Sequence, residues 1–237
     1  MAELGDKHLV LKPCFSRFGT QVLVRPTPEQ RLCLNPTPSQ PWIAQEYLPG
    51  QEVCCSAITV HGLVAALQVY RPRLRLRNGQ GAAVVFESVE AKITEEIQPF
   101  VEALAGAQGL TGQFSLDLRR AKDGQFKALE CNPRSTSGFH FFGPESGLAA
   151  AVSDGASAPA TALQGTVMGE HAPALLVGGW KGFIPKLQSL SAWPGDRISP
   201  LAQARAFWEI MSIARQNRCS LEEATTLDIS WDHSSTV

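Results

Sequence analysis

The chain has 237 residues, of which 44% are hydrophobic and 18% are charged, and its formal net charge is −1. This is the composition of an ordinary globular protein with enough apolar residues for one large domain or two small ones. The near-neutral charge lacks the basic excess that is typical of nucleic-acid-binding proteins. No apolar run approaches the roughly 20 residues of a membrane span, and the first residues lack a signal-peptide pattern. We therefore expect neither a nucleic-acid nor a membrane partner.

The cysteines give a first indication of the cellular compartment. Six are present, and they show neither a C-x-x-C pair nor the Cys/His spacing of a metal site. Reduced thiols are the simplest interpretation, so we expect a cytoplasmic protein.

The N-terminal part of the chain is predicted to contain two strands and a connection. Residues 9–12 and 21–25 have the composition of strands and are separated by a loop. Residues 26–41 carry five prolines, which disfavour a continuous helix or a central strand. We expect this stretch to be a surface connection.

The middle of the chain is predicted to form an antiparallel meander over residues 42–89. Its strand-like segments are separated by turn signals at Leu48-Pro49-Gly50 and His61-Gly62. Residues 90–106 then change to helical spacing, which indicates a helix that packs one face on the sheet. The apolar stripe of this helix consists of Ile93, Ile97, Val101 and Leu104.

The last part of the chain is predicted to be mainly helical. A short helix over 144–152 and a flexible loop over 153–166 follow a hairpin over 112–132. The main helix is expected to begin at Ser199-Pro200 and to end near Arg215. A capping box at Ser220 and Glu223 indicates a final short helix. The residues of the main helix expected to face inward are Leu201, Ala204, Phe207 or Trp208, Met211 and Ala214.

The hairpin over 112–132 carries the most informative polar pattern. Asp123-Gly124 is a favoured pair for a two-residue hairpin turn, and such a turn would place Asp117 directly opposite Glu130. Strand alternation puts Ser115 and Asn132 on the same face as these two carboxylates. The other face would be apolar, with Phe114, Leu116, Leu118 and Leu129.

Opposed carboxylates repel each other unless a positive charge lies between them. Mg²⁺ fits such a place, because it prefers oxygen ligands and is usually held by one or two carboxylates together with water and substrate phosphates. Asn132 would add an amide oxygen, and Arg134 could donate to a phosphoryl group or a carboxylate. From the residues alone, a solvated hairpin face is an equally good interpretation.

The same residues carry a resemblance to a known family. Asp117 precedes the E-x-N-P-R sequence that starts at Glu130 by thirteen positions, and this resembles the metal-binding hairpin of ATP-grasp enzymes. The stretch ECNPRSTSG is similar to the carbamoyl-phosphate-synthase-like branch of that superfamily. The resemblance implies an α+β ATP-grasp fold, in which two lobes with antiparallel sheets enclose the nucleotide. It also implies ATP and Mg²⁺ as cofactors, with Asp117, Glu130 and Asn132 as metal ligands.

Two further stretches resemble the nucleotide-binding parts of the family. VLKPCFSRFGTQVLV is similar to the strand and loop that contact the nucleotide phosphates, which implies that role for Lys12 and for the loop residues Ser16, Gly19 and Thr20. QEYLPGQE resembles the hinge between the two lobes. The resemblance implies that Gln45, Glu46 and Leu48 contact adenine and that Glu52 binds the ribose hydroxyls.

The alternating arginines at 71, 73, 75 and 77 would line one face of a strand. The resemblance places this stretch near the acceptor substrate, so Arg71 and Arg73 are candidates for binding an anionic substrate. A solvated arginine face is the alternative. The family implies small-molecule carboxylate and amine substrates, with a homodimer as the candidate assembly.

We therefore expect an ATP- and Mg²⁺-dependent carboxylate–amine ligase that forms an acyl phosphate, with Arg134 and Lys12 as catalytic residues. The expected division is a first lobe over 1–45, a second lobe over 46–152, and a linker with a helical C-terminal segment over 153–237. The N-terminal domain usual in the family is expected to be absent. A non-catalytic ATP-binding module and a structural protein with an incidental acidic hairpin are the alternatives.

Overall fold

The computed structural model describes residues 8–15, 21–76, 81–153, 160–190, 199–225 and 227. The chain divides into two compact units. The first comprises residues 1–47 and 191–237, and the second comprises residues 48–190.

A small antiparallel sheet is the main element of the first unit. Its strands are β1 (Leu9–Pro13), β2 (Leu23–Val24) and β3 (Trp42–Glu46), and β1 lies in the centre. The expected surface connection contains a short helix, α1 (Pro28–Leu32), which the sequence analysis did not predict. Thr27 and Gln30 form a capping box and Pro28 occupies the first turn, where proline is tolerated.

A mixed sheet forms the second unit. Its main strands are β4 (Glu52–Val60), β5 (Leu63–Arg75), β6 (Ala83–Ser88), β7 (Gly112–Arg120) and β8 (Phe126–Asn132). Two short strands, β9 (Val167–Gly169) and β10 (Leu187–Ser189), complete the sheet. Across the described residues the strand order is β10-β9-β6-β5-β4-β7-β8. The predicted meander is confirmed for β4, β5 and β6, which pair in chain order, but residues 42–46 form β3 of the other sheet. The turn at His61 and Gly62 has positive φ at both residues, as a tight hairpin requires.

One face of this sheet is covered by α2 (Ala91–Gln108), which lies between β6 and β7 in the chain. The predicted stripe is confirmed, because Ile93, Ile97 and Val101 are buried against Phe114, Leu116 and other apolar residues of β4, β5 and β7. Leu104 is partly buried beside them. The apolar face of the predicted hairpin is thus one wall of the core.

The opposite face is covered by the chain that follows β8. The covering elements are a 3₁₀ helix (Ser137–Phe141) and α3 (Leu148–Ser153). Helix α4 (His171–Gly178) follows β9, and its Ala174 packs with Val85 and Leu187. β9 pairs with β6, and β10 runs parallel to β9. The prediction of a linker and a helical segment over 153–237 did not include these two short strands, which extend the sheet. Both are three residues long, too short to produce a recognisable alternation.

The C-terminal helices are α5 (Pro200–Asn217) and α6 (Leu221–Ala224). Their predicted starts at Ser199 and Ser220 are confirmed, and the Ser220–Glu223 capping box is present. The predicted inward face of α5 is wrong for Leu201, Phe207 and Trp208, which are exposed, whereas Ala214 is buried. Among the described residues, no helix combines the length and apolar character needed to cross a bilayer.

Candidate functional site

The predicted pairing of the two hairpin carboxylates is confirmed. Asp117 on β7 lies directly opposite Glu130 on β8, and Ser115 lies opposite Asn132. The predicted two-residue turn is wrong by one residue, because the Ala121 amide donates to the Gln125 carbonyl and leaves a three-residue loop between them. The pairing is correct nevertheless, because the register shifts by one residue between the Leu118–Ala128 and Asp117–Glu130 pairs.

The register shift is a β-bulge at Leu129, which gives β8 one more residue than β7 at this point. Bulges are common near functional sites because they change the direction of side chains along a strand. Here the bulge brings Glu130 and Asn132 into register with Asp117 and Ser115. The four polar side chains therefore follow the alternation expected for one face.

Asp117 lies in a partly apolar environment. Burial raises the pKa of its carboxyl group above the ordinary value, and the charges of Glu130 and Glu52 act in the same direction. A hydrogen bond from the Cys54 thiol and the charge of Arg75 oppose this increase in the Asp117 pKa. Cys54 lies opposite Asp117 on β4, and burial raises the pKa of its thiol, which is therefore a neutral donor.

Asn132 and Arg134 lie next to each other where β8 ends. The Arg134 amide donates to the Asn132 carbonyl at 2.8 Å, and its guanidinium approaches Asn132 Oδ1 at 3.4 Å. The Arg134 guanidinium also donates to the Ser135 carbonyl, and its side chain is exposed. The polar face thus ends with an amide oxygen and a guanidinium close together.

A cluster of four hydroxyl groups anchors the chain just after Arg134. Thr136 Oγ1 lies 2.7 Å from Ser56 Oγ, 2.9 Å from Ser115 Oγ and 3.0 Å from the Tyr70 hydroxyl. Gly138 packs against the same cluster, because a Cβ atom there would lie 2.4 Å from Ser56 Oγ. The hydroxyl cluster therefore joins the loop after β8 to β4, β5 and β7.

Glu52 is held by two arginines from other strands. Arg75 on β5 forms an ion pair with Glu52 Oε1, and Arg119 on β7 donates to Glu52 Oε2 at 2.9 Å. Arg119 also donates to the Leu48 carbonyl at 3.1 Å. The sequence indicated Glu52, Leu48 and the arginine cluster separately, but neither arginine partner was predicted, since both are distant in the chain.

The two arginines proposed for an anionic substrate share one carboxylate. Arg71 donates to Glu87 at 2.6 Å, and the Arg73 guanidinium lies 3.6 Å from the same carboxylate. The strict alternation expected along this strand is interrupted, because the register of β5 against β6 shifts between Pro72 and Leu74. Arg77 lies outside the described residues.

The lysine that was predicted to contact phosphate lies in the sheet of the first unit. Lys12 is on the central strand β1, paired with Ile43, and Gln45 is paired with Val10. Because side chains alternate along a strand, Lys12 and Gln45 are on the same face of that sheet and Glu46 is on the other. Ser16, Gly19 and Thr20, the predicted phosphate-loop residues, lie outside the described residues.

A comparison with known protein families shows to which family the chain belongs. The family model of the ATP-grasp domain matches residues 1–138, more than half of the chain. The chain belongs to the ATP-grasp family. The predicted α+β ATP-grasp fold is confirmed, with the parallel β9–β10 pair as an addition to the antiparallel sheets.

Two solved ligase structures are similar to the chain. Phosphoribosylamine–glycine ligase from Thermotoga maritima matches 68% of the chain with a TM-score of 0.53 at 20% identity. D-alanine–D-alanine ligase from Bacillus anthracis matches 53% of the chain with a TM-score of 0.38 at 18% identity. The chain spans about half of the T. maritima enzyme, 48% of its length. No curated protein sequence matches the chain significantly.

The polar face of the hairpin carries oxygen atoms that were predicted to bind a metal ion. In the described parts of the chain, no group of three or more His, Cys, Asp or Glu side chains could hold a metal ion. Asp117, Glu130 and Asn132 provide two carboxylates and one amide, which is a set that fits Mg²⁺ only together with water and phosphate oxygens. The residues therefore fit a nucleotide-bound metal better than a permanently bound structural one.

Proposed function

We propose that the protein is an ATP- and Mg²⁺-dependent carboxylate–amine ligase that activates its carboxylate substrate as an acyl phosphate. The observation that carries the proposal is the direct opposition of Asp117 and Glu130, with Asn132 on the same face. Placing two carboxylates opposite each other costs stability in the absence of a cation. A Mg²⁺ ion between them would remove this repulsion.

When bound, Mg²⁺ would neutralise charge on the terminal phosphates of ATP. Asp117, Glu130 and Asn132 would hold it. The burial of Asp117 supports this role, because a partly desolvated carboxylate interacts strongly with a cation.

Arg134 is proposed to stabilise the phosphoryl group during transfer. Its side chain is exposed at the end of the polar face and lies beside Asn132, so a phosphate held at this end would be within reach of a guanidinium donor. The hydroxyl cluster around Thr136 restrains the backbone that carries Arg134. Such fixed positioning is the main contribution that proteins make to phosphoryl transfer.

The nucleotide-binding roles follow the family resemblance. Gln45, Glu46 and Leu48 would contact adenine, Glu52 would bind the ribose, and Lys12, Ser16 and Gly19 would contact phosphate. Lys12 is proposed as a second catalytic residue, since its charge would steady the phosphate chain. The arginine pair on Glu52 supports its assignment, because the two ion pairs hold the carboxylate in one orientation.

The substrates are proposed to be a small carboxylic acid and an amine. The stretch ECNPRSTSG supports placement in the carbamoyl-phosphate-synthase-like branch. Arg71 and Arg73 carry two positive charges against the single carboxylate of Glu87, which leaves a local positive excess for an anionic acceptor.

The experiment is a screen of carboxylic acids with Mg²⁺-ATP and hydroxylamine, which replaces the natural amine. We expect at least one acid to give a hydroxamate together with ADP and phosphate. With that acid labelled by ¹⁸O in the carboxyl group, the label should appear in the released phosphate, because the carboxylate oxygen attacks the γ-phosphorus and leaves with the phosphate.

Formation of AMP and pyrophosphate, with label in AMP, would contradict acyl-phosphate formation and the role of Arg134. Binding of Mg²⁺-ATP without turnover of any acid would instead support a non-catalytic nucleotide-binding module.

A further inference from the structure

The hinge segment from Leu48 to Glu52 is fastened to the end of β7 by three hydrogen bonds. Arg119 donates to the Leu48 carbonyl at 3.1 Å and to Glu52 Oε2 at 2.9 Å. Between these two contacts, the Arg120 amide donates to the Gln51 carbonyl at 2.8 Å. Both ends of the segment are therefore held by one guanidinium.

The turn between these two contacts also lies against β7. A Cβ atom on Gly50 would lie 2.1 Å from the Arg120 carbonyl oxygen, so only glycine permits this approach. The contact limits how far the segment can move away from the strand. The geometry of Leu48 relative to Glu52 is thus set by residues 119 and 120.

We propose that Arg119 is a positioning residue for nucleoside recognition, which fixes the peptide group of Leu48 and the carboxylate of Glu52 relative to each other. This inference rests on the proposed function, in which Leu48 contacts the base and Glu52 binds the ribose. One planar guanidinium with two occupied arms is suited to this task, because its donors have a fixed geometry.

The two arginines leave Glu52 able to bind a ribose. An ionised carboxylate has about four acceptor positions, two on each oxygen. Arg75 occupies a position on Oε1 and Arg119 a position on Oε2. One acceptor position remains on each oxygen, and a ribose offers two adjacent hydroxyl donors. The ion pairs therefore orient the carboxylate without excluding the sugar.

Arg120 provides a matched control on the same strand. Its side chain is on the opposite face, where it donates to Glu96 and to the Gly124 carbonyl. The Arg119 and Arg120 side chains are 27% and 29% exposed, so the two replacements remove the same charge from similar environments. Of these two arginine side chains, only that of Arg119 contacts Leu48 and Glu52.

The test measures calorimetric dissociation constants of ATP, 2′-deoxy-ATP, 3′-deoxy-ATP and tripolyphosphate, each with Mg²⁺. For the wild type we expect ATP to bind about tenfold more tightly than either deoxy analogue, the equivalent of about 1.4 kcal/mol. Arg119→Met should weaken ATP by more than about tenfold, because the base contact is disturbed as well as the ribose contact. It should also weaken the two deoxy analogues, bring the three nucleotides close to equal affinity and leave tripolyphosphate unchanged. Arg120→Met should keep the wild-type discrimination.

Arg119→Lys separates charge from geometry. We expect it to lose the discrimination as well, because one ammonium group cannot make both contacts in the same orientation. Wild-type discrimination in either Arg119 variant, or tighter ATP binding by Arg119→Met, would overturn the inference while the wild type still binds Mg²⁺-ATP. Failure of the wild type to bind Mg²⁺-ATP would instead overturn the proposed function and the inference with it.

Discussion

Asp117 and Glu130 lie directly opposite each other on neighbouring antiparallel strands, and burial raises the pKa of Asp117 above its ordinary value. The metal-free protein therefore loses stability whenever both groups are ionised. Binding of a cation would remove this cost, so the residues that weaken the metal-free fold would also provide binding energy for the proposed metal. The relationship gives a prediction about pH.

Asp117→Asn should stabilise the metal-free protein at neutral pH by up to about 1 kcal/mol, because it removes a like-charge cross-strand pair. A carboxyl group with a raised pKa in the folded state destabilises the fold above that pKa, and the cost is lost as pH falls through it. The advantage of the variant should therefore be largest at about pH 8 and shrink towards about pH 4. Denaturant melts at a series of pH values measure this difference.

The same pH series also tests whether repulsion between Asp117 and Glu130 causes the stability difference. A stability difference between variant and wild type that is independent of pH would contradict this cause. A less stable variant at all pH values would indicate that the Asp117 carboxylate stabilises the metal-free fold, through Cys54 and Arg75, more than its repulsion from Glu130 destabilises it.

Gly138→Ala should lower the free energy of unfolding by about 1–3 kcal/mol, the usual cost of inserting a methyl group into a filled core. The added Cβ would lie 2.4 Å from Ser56 Oγ and 2.5 Å from Tyr70 Cε1, and Ser56 is fully buried. Gly143→Ala is the control, since a Cβ atom there meets nothing within 4 Å. Equal melts for the two variants would show that the hydroxyl cluster can rearrange at little cost.

The hairpin over residues 112–132 shows which structural features the sequence could predict and which it could not. Alternation of polar and apolar residues correctly placed Phe114, Leu116 and Leu118 in the core. The Asp123-Gly124 pair led to the prediction of a loop that is one residue too short. The bulge at Leu129 shifts the pairing by one residue, so the predicted Asp117–Glu130 pair is still correct. A bulge depends on packing between strands and leaves no local signal, so the correct pairing rested partly on two compensating shifts.

Other differences have similar physical causes. The helix α1 was not predicted, because the prolines disfavour a continuous helix over residues 26–41. Pro28 lies in the first turn, where it does not break a helix, and Thr27 and Gln30 form a capping box. The ion pairs of Glu52 could not be predicted, because Arg75 and Arg119 approach it only after three strands have paired. Long-range partners of this kind follow from sheet topology rather than from local composition.

Glu52→Gln should weaken ATP binding more than tripolyphosphate binding, because the loss falls on the ribose. We expect about a tenfold effect on ATP, the scale of a hydrogen bond to a charged acceptor. Glu87→Gln is the control, since it also removes a carboxylate shared by two arginines but has no proposed contact with the ribose. Calorimetric titrations of both ligands would measure this, and equal losses for ATP and tripolyphosphate in Glu52→Gln would place Glu52 outside the ribose site.

The most direct measurement of the central claim is Mg²⁺-dependent ATP binding by the wild type and by Glu130→Ala and Asn132→Ala. We expect the wild type to bind ATP more tightly with Mg²⁺ than without it, and both variants to lose most of that gain, about tenfold or more, while their melts stay close to wild type. Glu95→Ala, an exposed carboxylate on α2 at the opposite face of the sheet, should behave like the wild type. If Glu130→Ala and Asn132→Ala retain the full effect of Mg²⁺ on ATP affinity, the hairpin does not hold the metal and the proposed ligase mechanism is wrong.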